Sequence, residues 1–328
     1  MRIIDAEYVH HRLTFAECIP AMREAMAAFS AGKTKQHLRS ILDLGDGAVM
    51  GVMPGALGFA GVFGTKIVSA YPGNFALGKP SHQGVIVLFD SETGEPMLVI
   101  EAGSVTAIRT ASASAAATDA LALPDASRLA LLGYGEQAWT HAHAICEVRK
   151  LEDVQVWGRS FERASAFAER LSGSIGIPVR PTDSARDAVE SADIICTVTA
   201  AKEPVLEGRW VKAGAHVNAV GSSFAGPSEI DNELVRRSRF IADSREGVIS
   251  QGAEFLYAKA AGLVDDQHIA GEIGEVFAGK VVGRRSPNEI TVYKSLGHIV
   301  QDLAASALLM RKIESNETAA RRDERKAV

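Results

Sequence analysis

Residues 129–138 carry the clearest chemical signal in the sequence, a glycine-rich turn between an apolar stretch and a helical one. Gly133, Gly135 and Ala138 follow the spacing Gly-x-Gly-x-x-Ala, with Glu136 inside the turn. The first glycine permits a tight turn, the second lets backbone approach a pyrophosphate, and a small third residue lets the helix pack on the strand. The amides at the helix N-terminus point at the anion. The turn therefore predicts dinucleotide binding, although any α/β domain can contain a glycine turn without a ligand.

A second signal lies about 20 residues further on, where Gly158, Arg159 and Ser160 follow a predicted strand. A carboxylate at this position binds the ribose of NAD and repels a 2′-phosphate. This chain has no acid there, and Arg159 and Ser160 are suited to binding the phosphate. Alternatively, Arg159 stacks on the adenine and NAD is accepted. We therefore expect NADP or NAD as cofactor, with NADPH favoured.

Two cations stand in unusual surroundings. Arg109 is the one long cation in a predicted helix of small residues, and a planar guanidinium can hold a carboxylate through two hydrogen bonds. Lys66 lies in a β-rich, partly apolar stretch. Beside arginines its pKa would fall, which suits a proton donor, with simple carboxylate binding as the alternative. His82 precedes a strand, and we favour a structural role for it over a catalytic one.

Other classes of site are disfavoured. His141 and His143 are two residues apart on a helix and face different directions, and no cluster has metal-ligand spacing, so we predict no metal. The net charge of −5 argues against nucleic acid and anionic membranes as partners. The three cysteines are scattered, and we find neither a signal peptide nor an apolar run long enough to span a membrane. We expect a cytoplasmic protein.

The first region of the chain must position Lys66 and Arg109. A helix over 13–31, ended by Gly32, precedes a β-rich block with a hairpin turn at 90–94. The predicted strands are Val49–Met53, Phe63–Ser69, Gly84–Phe89 and Met97–Glu101. They lack crossover helices, so the pattern predicts an antiparallel sheet.

From about residue 127 onwards, strands alternate with helices, which predicts a Rossmann-type domain with a parallel, doubly wound sheet. The strands are Arg128–Leu132, Asp153–Trp157, Asp193–Val198, His216–Val220 and Phe240–Asp243, and the helices are Gln137–Val148, Phe161–Leu171 and Ser184–Glu190. We predict a last helix over Val292–Ile313 and a charged tail from Glu314, which is solvated or disordered. The fold class is thus α/β, with an antiparallel-sheet α+β domain in addition.

Together these features resemble the ornithine cyclodeaminase/mu-crystallin family, most of all its mu-crystallin and ketimine reductase branch. The likeness spans residues from about 35 to 300 in order. It is carried by the glycine turn and by Gly51–Pro54, Gly64–Lys66, Pro80–Gln83, Thr106–Thr110, Thr197–Thr199, Glu203–Pro204, Gly214–Gly221, Glu275–Val276 and Lys294–Gly297.

The resemblance implies a discontinuous substrate-binding and dimerisation domain, residues 1–122 with 294–328, and a Rossmann domain, residues 123–293. It implies a homodimer with a small-molecule substrate. It also implies residue roles. Arg39, Lys66 and Arg109 match positions around the substrate carboxylate, and Thr110 and Gln137 match positions at the cofactor phosphates. Thr197, Val220, Ser222 and Leu296 match positions that line the nicotinamide pocket.

Two departures from the family pattern narrow the chemistry. Ser223 stands where cyclodeaminases and related alanine dehydrogenases carry Asp, and Gly51 stands where cyclodeaminases carry Glu. Ring closure with loss of ammonia needs carboxylate acid/base groups, and a serine hydroxyl does not accept a proton at neutral pH. Reduction of an existing C=N bond needs less, and the small Ser222 and Ser223 leave room for the substrate.

The hypothesis is therefore an NAD(P)H-dependent reductase that converts 2-imino carboxylates to L-amino acids. Cyclic ketimines and open imines such as iminosuccinate are both compatible, and His82 is a candidate contact for a second carboxylate. The alternatives are an amino-acid dehydrogenase or cyclodeaminase of the same fold, and a non-catalytic, crystallin-like protein that holds NADPH and a small ligand.

Overall fold

The computed structural model describes residues 1–80 and 82–326 and divides into two compact units. Unit 1 comprises Met1–Arg109 and the chain from His298 onwards, and unit 2 comprises Thr110–Gly297. These limits differ from the predicted domain boundaries at 122/123 and 293/294. The C-terminal part of a long helix that begins at Ala102 and the segment 294–297 both belong to unit 2.

The elements are, in chain order, β1 (Arg2–Ile4), α1 (Ala6–Arg12), α2 (Phe15–Ser30), β2 (Lys35–Gln36), β3 (Ser40–Gly45), β4 (Ala48–Leu57), β5 (Val62–Ala70), β6 (His82–Asp90), β7 (Pro96–Glu101) and α3 (Ala102–Leu121). They continue with β8 (Arg128–Leu132), α4 (Glu136–Cys146), β9 (Asp153–Trp157), α5 (Phe161–Ile175), β10 (Val179–Pro181), α6 (Ala185–Val189), β11 (Ile194–Thr197), β12 (His216–Ala219), α7 (Asn232–Arg237), β13 (Arg239–Ala242), α8 (Arg245–Gln251), α9 (Ala253–Ala260), β14 (Ile269–Glu272), α10 (Ile273–Phe277), β15 (Thr291–Lys294) and α11 (Ile299–Lys326).

The sheet of unit 1 has the order β1-β7-β6-β5-β4-β2, and β3 also pairs with β4. The strands β4 to β7 pair antiparallel as predicted, the unpredicted β2 and β3 also pair antiparallel with β4, and β1 runs parallel to β7. The sheet is therefore mixed. We missed β1 because three residues, of which only Ile4 is buried, are too short to show an alternating pattern.

One face of this sheet is covered by α11, which packs in turn against α2. Val62, Gly64 and Lys66 alternate along β5 and are buried, as expected for side chains that point to one face of a strand. Glycines let α11 approach closely. A Cβ on Gly55 would lie 2.7 Å from Ile299 Cγ2, and one on Gly64 would lie 3.1 Å from Leu303 Cδ2. The N-terminal turn of α11 therefore lies directly over β4 and β5.

The opposite face of the same sheet is apolar and only half covered. Phe63 on β5 stacks on Phe89 of β6 with ring centroids 5.0 Å apart. Val85 lies on the same sheet face as Phe63 and is exposed, as is Leu42 on β3. Large apolar groups that remain in water are unfavourable, by about 25 cal/mol for each Å².

The sheet of unit 2 is parallel throughout, with the order β10-β9-β8-β11-β12-β15-β13-β14. Every residue of β11, β12 and β15 is buried, as is typical of a sheet covered by helices on both faces. Chain order reverses between β8 and β11. The doubly wound Rossmann fold is confirmed, and β8 and β9 have the predicted bounds.

The prediction of one helix over Val292–Ile313 is wrong at its start. Residues 291–294 form β15, between β12 and β13, and α11 begins at Ile299. All four residues of β15 are buried, so no alternation of buried and exposed side chains distinguished a strand from a helix there. No helix within 1–80 and 82–326 has both the length and the apolar character needed to cross a membrane.

Candidate active site

Lys66 and Arg109 lie together in unit 1. Lys66 comes from the buried face of β5 and Arg109 from α3, and their exposed fractions are 4% and 5%. Both donate to the same carboxylate oxygen, Asp302 Oδ1, at 3.1 Å from Lys66 Nζ and 2.9 Å from Arg109 Nε. The structure thus brings together the two cations that the sequence singled out.

Sequence reasoning missed Asp302, the acceptor between them, and its neighbour Gln301. Asp302 is in the first turn of α11 with no exposed surface, and Gln301 Oε1 accepts from Arg109 Nη1 at 2.8 Å. Lys66 also donates to Thr106 Oγ1. A signal was present in the sequence, since Gln301 and Asp302 interrupt an otherwise apolar run from 299 to 305. Polar residues at buried helix positions need partners.

The charges in this cluster control one another. Burial, helped by the charges of Arg109 and Arg39 and opposed by Asp302, lowers the pKa of Lys66 to about 8. Burial alone would raise the pKa of Asp302, but Arg109 and Lys66 outweigh it and hold that pKa below its ordinary value. At neutral pH the cluster is therefore two cations on one carboxylate.

Arg39 and His298 complete the surroundings. Arg39 is half-buried, and a Cβ on Gly51 would lie 3.8 Å from Arg39 Cδ. His298 packs against Phe29 with ring centroids 4.3 Å apart, and burial lowers its pKa to about 4. It is therefore neutral, and its buried Nδ1 has no hydrogen-bond partner among the described residues.

In unit 2 the glycine turn has the shape that the spacing predicted. Gly133 has φ +124°, and a Cβ there would lie 2.8 Å from Val198 O, so only glycine fits. Beside Gly135, by contrast, a Cβ would meet open space. Gly135 caps α4, whose first amides have no acceptor within the helix. Gln137 Oε1 is buried without a hydrogen-bond partner in the described chain. This donor-lined, open turn fits a pyrophosphate.

At the end of β9, Gly158 lies under the ring of Tyr134, where a Cβ would be 2.1 Å from the ring. Arg159 is exposed. Ser160 caps α5, and its Oγ accepts from Arg163 N at 3.2 Å, which leaves its hydroxyl proton for another acceptor. The sequence did not single out Tyr134.

The residues that follow β11 and β12 are held by a buried glutamate that the sequence did not reveal. Glu229 accepts from Thr197 Oγ1 at 2.8 Å, and from Thr199 N, Thr199 Oγ1 and Gly221 N at 2.6 Å each. Burial raises its pKa, against the hydrogen bonds from Thr199 and Thr197, which lower it. Because carboxyl ends of parallel strands share one edge, Glu229 joins two loops at the edge where α/β sheets bind ligands.

A second buried group supports the next residues. Ser222 Oγ donates to Glu254 Oε1 at 2.7 Å, and Lys294 Nζ lies 2.8 Å from Glu254 Oε2 and donates to Ser222 O at 2.6 Å. Further on, Asp243 Oδ2 accepts from Leu296 N at 2.6 Å, and burial raises the pKa of Asp243 to about 6.

The remaining predicted residues fall as follows. Thr110 and Val220 are buried in unit 2, and Ser223 is half-buried in the loop after Ser222. His82 begins β6, but its side chain lies outside the described residues. In the part of the chain that the structure describes, no group of three His, Cys, Asp or Glu side chains is placed to hold a metal ion.

Comparison with known proteins decides the family. The family model described as ornithine cyclodeaminase/mu-crystallin family matches residues 2–317. The chain belongs to this family. The resemblance found in the sequence motifs is thereby confirmed.

Among family members, ketimine reductase mu-crystallin from Mus musculus is 36% identical, over 93% of this chain and 95% of that protein. The solved structure of Thermococcus litoralis Δ1-pyrroline-2-carboxylate reductase, in complex with NADH and L-proline, has a TM-score of 0.94 and 34% identity, and covers 97% of this chain and 98% of that one. An archaeal alanine dehydrogenase dimer with bound NAD has a TM-score of 0.89 and 28% identity, with 96% of each chain covered.

Proposed function

We propose that the protein is a nicotinamide-dependent reductase of 2-imino carboxylates that forms L-amino acids. The observation that carries the proposal is the buried pair Lys66 and Arg109, which share one carboxylate and retain hydrogen-bond donors for an anionic ligand. The family members named as ketimine and pyrroline-2-carboxylate reductases support it.

Within unit 1, Arg109 and Arg39 hold the substrate carboxylate. Lys66, which burial brings to a pKa of about 8, donates a hydrogen bond or a proton to the substrate nitrogen. His82, and Ser223 of unit 2, are further proposed substrate-binding residues. The C=N bond thus gains a hydride at carbon and a proton at nitrogen. Cyclic ketimines and open imines both fit this scheme.

Unit 2 holds the cofactor, which supplies the hydride when bound. Gly133, Gly135, Ala138 and the first amides of α4, with Glu136, Gln137 and Thr110, bind the phosphates. Gly158, Arg159 and Ser160 bind the adenosine end, and NADPH is favoured there because no acid is present. Thr197, Val220, Ser222 and Leu296 line the nicotinamide site.

We propose that the two units correspond to two functional domains, for which we predict the limits 1–122 with 294–328 and 123–293.

The half-covered face that carries Phe63, Val85 and Phe89 is the proposed homodimer interface, a role supported by its apolar character. Light scattering at micromolar concentration should give the mass of a dimer or a larger assembly, and a stable monomer would contradict this.

The proposed location is the cytoplasm, since the three free cysteines suit a reducing compartment.

The test is NAD(P)H oxidation with cyclic ketimines, and with 2-oxo acids in the presence and absence of amines. Turnover with ketimines, or only when amine is present, is expected. Tight cofactor binding without turnover of any substrate would instead favour the crystallin-like carrier.

The cyclodeaminase alternative has a separate test. Because Gly51 and Ser223 lack carboxylates, we expect no proline and no ammonia from L-ornithine with catalytic NAD. Ammonia release above the rate without enzyme, measured with a coupled assay, would restore that alternative.

A further inference from the structure

Asp302 is a buried carboxylate of unit 1 that the proposed reaction does not use directly. Its Oδ1 accepts from both Lys66 and Arg109, and its side chain is fully buried. A buried carboxylate is costly unless it is paired, so this is not an incidental surface ion pair. Oδ2 accepts no hydrogen bond from the described residues. The negative charge therefore acts mainly on the two cations.

The contacts of Asp302 occupy only part of each cation. Lys66 has three N–H donors, and the described residues take two of them, through Asp302 and Thr106. Arg109 has five donors, and they take Nε through Asp302 and one hydrogen of Nη1 through Gln301. One ammonium hydrogen of Lys66, the second hydrogen of Arg109 Nη1 and both hydrogens of Nη2 are not used by the described residues and can be donated to a ligand.

We propose that Asp302 is a positioning residue that keeps Lys66 protonated and directs the Nη2 edge of Arg109 to the substrate carboxylate. This inference rests on the proposed function, in which these two cations act on a 2-imino carboxylate. Asp302 acts through them.

The fold explains how one carboxylate reaches both cations. Gly55 and Gly64 let the first turn of α11 lie directly on β4 and β5, and this turn carries Asp302. A negative charge near a helix N-terminus is also favoured by the helix dipole. Gln301 fixes the guanidinium at a second point, so the planar group does not rotate about Nε.

Asp302 also sets the charge state of Lys66. The charged groups that act on Lys66 are Asp302 from α11, Arg109 from α3 and Arg39 from the segment between β2 and β3. Among these groups of the described chain, Asp302 raises the pKa of Lys66, whereas burial and the two arginines lower it. An opposite charge at this distance shifts a pKa by about 1–3 units. Without it, Lys66 would lose its proton near or below neutral pH.

The experiment compares wild type with Asp302→Asn, which removes the charge and keeps the shape. The pH dependence of kcat/KM for ketimine reduction should show activity lost as pH rises through the pKa of Lys66. In Asp302→Asn this high-pH limb of the profile should move down by about 1–3 pH units, with a loss of about fivefold or more at the wild-type midpoint. Asp302→Glu should restore part of the shift.

A direct readout does not need turnover. In lysine-labelled protein, the Cε–Hε signal of Lys66, assigned by its absence in Lys66→Arg, should titrate at lower pH in Asp302→Asn. The matched control is Gln301→Leu, which removes the second anchor of Arg109, and a hydrogen bond to Met26 Sδ, without removing a charge. It should raise KM and leave both the limb and the NMR titration in place.

The outcomes separate the two proposals. If Asp302→Asn is less active but its pH limb and its Lys66 titration equal those of wild type, the positioning role is overturned and Asp302 is merely structural. If wild type reduces no imine, the proposed function fails, and the Lys66 titration still decides whether Asp302 sets its charge. Should Asp302→Asn fail to fold, the same comparison is made with the neutral Asp302→Ser, and an unchanged pH limb and Lys66 titration in that variant would overturn the positioning role.

Discussion

The buried polar clusters of the two units have opposite charge balance. In unit 1, Lys66 and Arg109 share one carboxylate, Asp302. In unit 2, Glu229 and Glu254 are buried with one lysine, Lys294. The first cluster has excess positive charge and unused donors. In the second, the excess negative charge is taken up by amides and hydroxyls.

This difference separates binding from support. A cluster with spare cationic donors gains free energy from an anionic ligand, because the ligand completes its pairing. A carboxylate that accepts from two loops, as Glu229 does, is already satisfied and mainly fixes their conformation. Mutations in unit 1 should therefore change substrate kinetics, and mutations in unit 2 should change cofactor binding.

The largest expected effect is at Arg109. Arg109→Lys keeps the charge but loses the planar fork, and losing a charged hydrogen bond costs about 1.5–3 kcal/mol, or about 10- to 150-fold in kcat/KM. Arg109→Ala should lose more, because Asp302 then keeps only one cationic partner. Cofactor Kd, measured by fluorescence, should be unchanged in both variants.

Methyl esters of the substrate sharpen this test. They should be poor substrates for wild type and should be discriminated against less by Arg109→Lys, since the ester has no carboxylate to hold. An Arg109→Ala enzyme that reduces the imine as well as wild type does would refute the carboxylate-binding role.

A smaller effect is expected at Glu229, and it should appear in unit 2 only. Glu229→Gln replaces one acceptor oxygen by an NH2 group that faces buried donors such as Gly221 N. An unsatisfied buried group costs about 1–3 kcal/mol, so we expect a lower Tm and a cofactor Kd raised by about tenfold. Glu169→Gln, an exposed change on α5, is the matched control. If Glu229→Gln changes KM for the imine but not cofactor Kd, the proposed separation between the units is wrong.

The two clusters were also unequally predictable. The glycine turn is a local pattern, so Gly133, Gly135 and the bounds of β8 could be predicted from a dozen residues. Lys66, Arg109 and Asp302 are up to 236 residues apart and meet only in the folded unit. Family resemblance supplied the two cations as candidates. Asp302 lies beyond the family motifs, which end at Gly297, and only its place in an apolar run marked it.

Glu229 was not predicted as a buried residue for a different reason. It stands in a loop after β12, where an acidic residue is normally solvated, and no periodicity marks it as buried. The misplaced start of the last helix has a similar cause. All residues of 291–294 are buried, so no exposed face of the strand shows in the sequence pattern. Local patterns predicted the elements, and the long-range polar pairs required the structure.

The smallest expected effect concerns the exposed end of the cofactor site. The ring of Tyr134 covers Gly158 and leaves no room for a side chain at that position. The next residue, Arg159, is exposed and stands where an acidic residue would select NAD. An exposed ion pair is worth up to about 1 kcal/mol, so Arg159→Ala should raise the Kd of NADPH by roughly 5-fold and hardly change that of NADH. Added salt should shrink the difference, because screening weakens exposed charges. Arg170→Ala, also exposed on α5, controls for the general loss of positive charge. A wild-type protein that prefers NADH tenfold would show that Arg159 does not bind the 2′-phosphate. The expectation that mutations in unit 2 change cofactor binding would then depend on Glu229 alone.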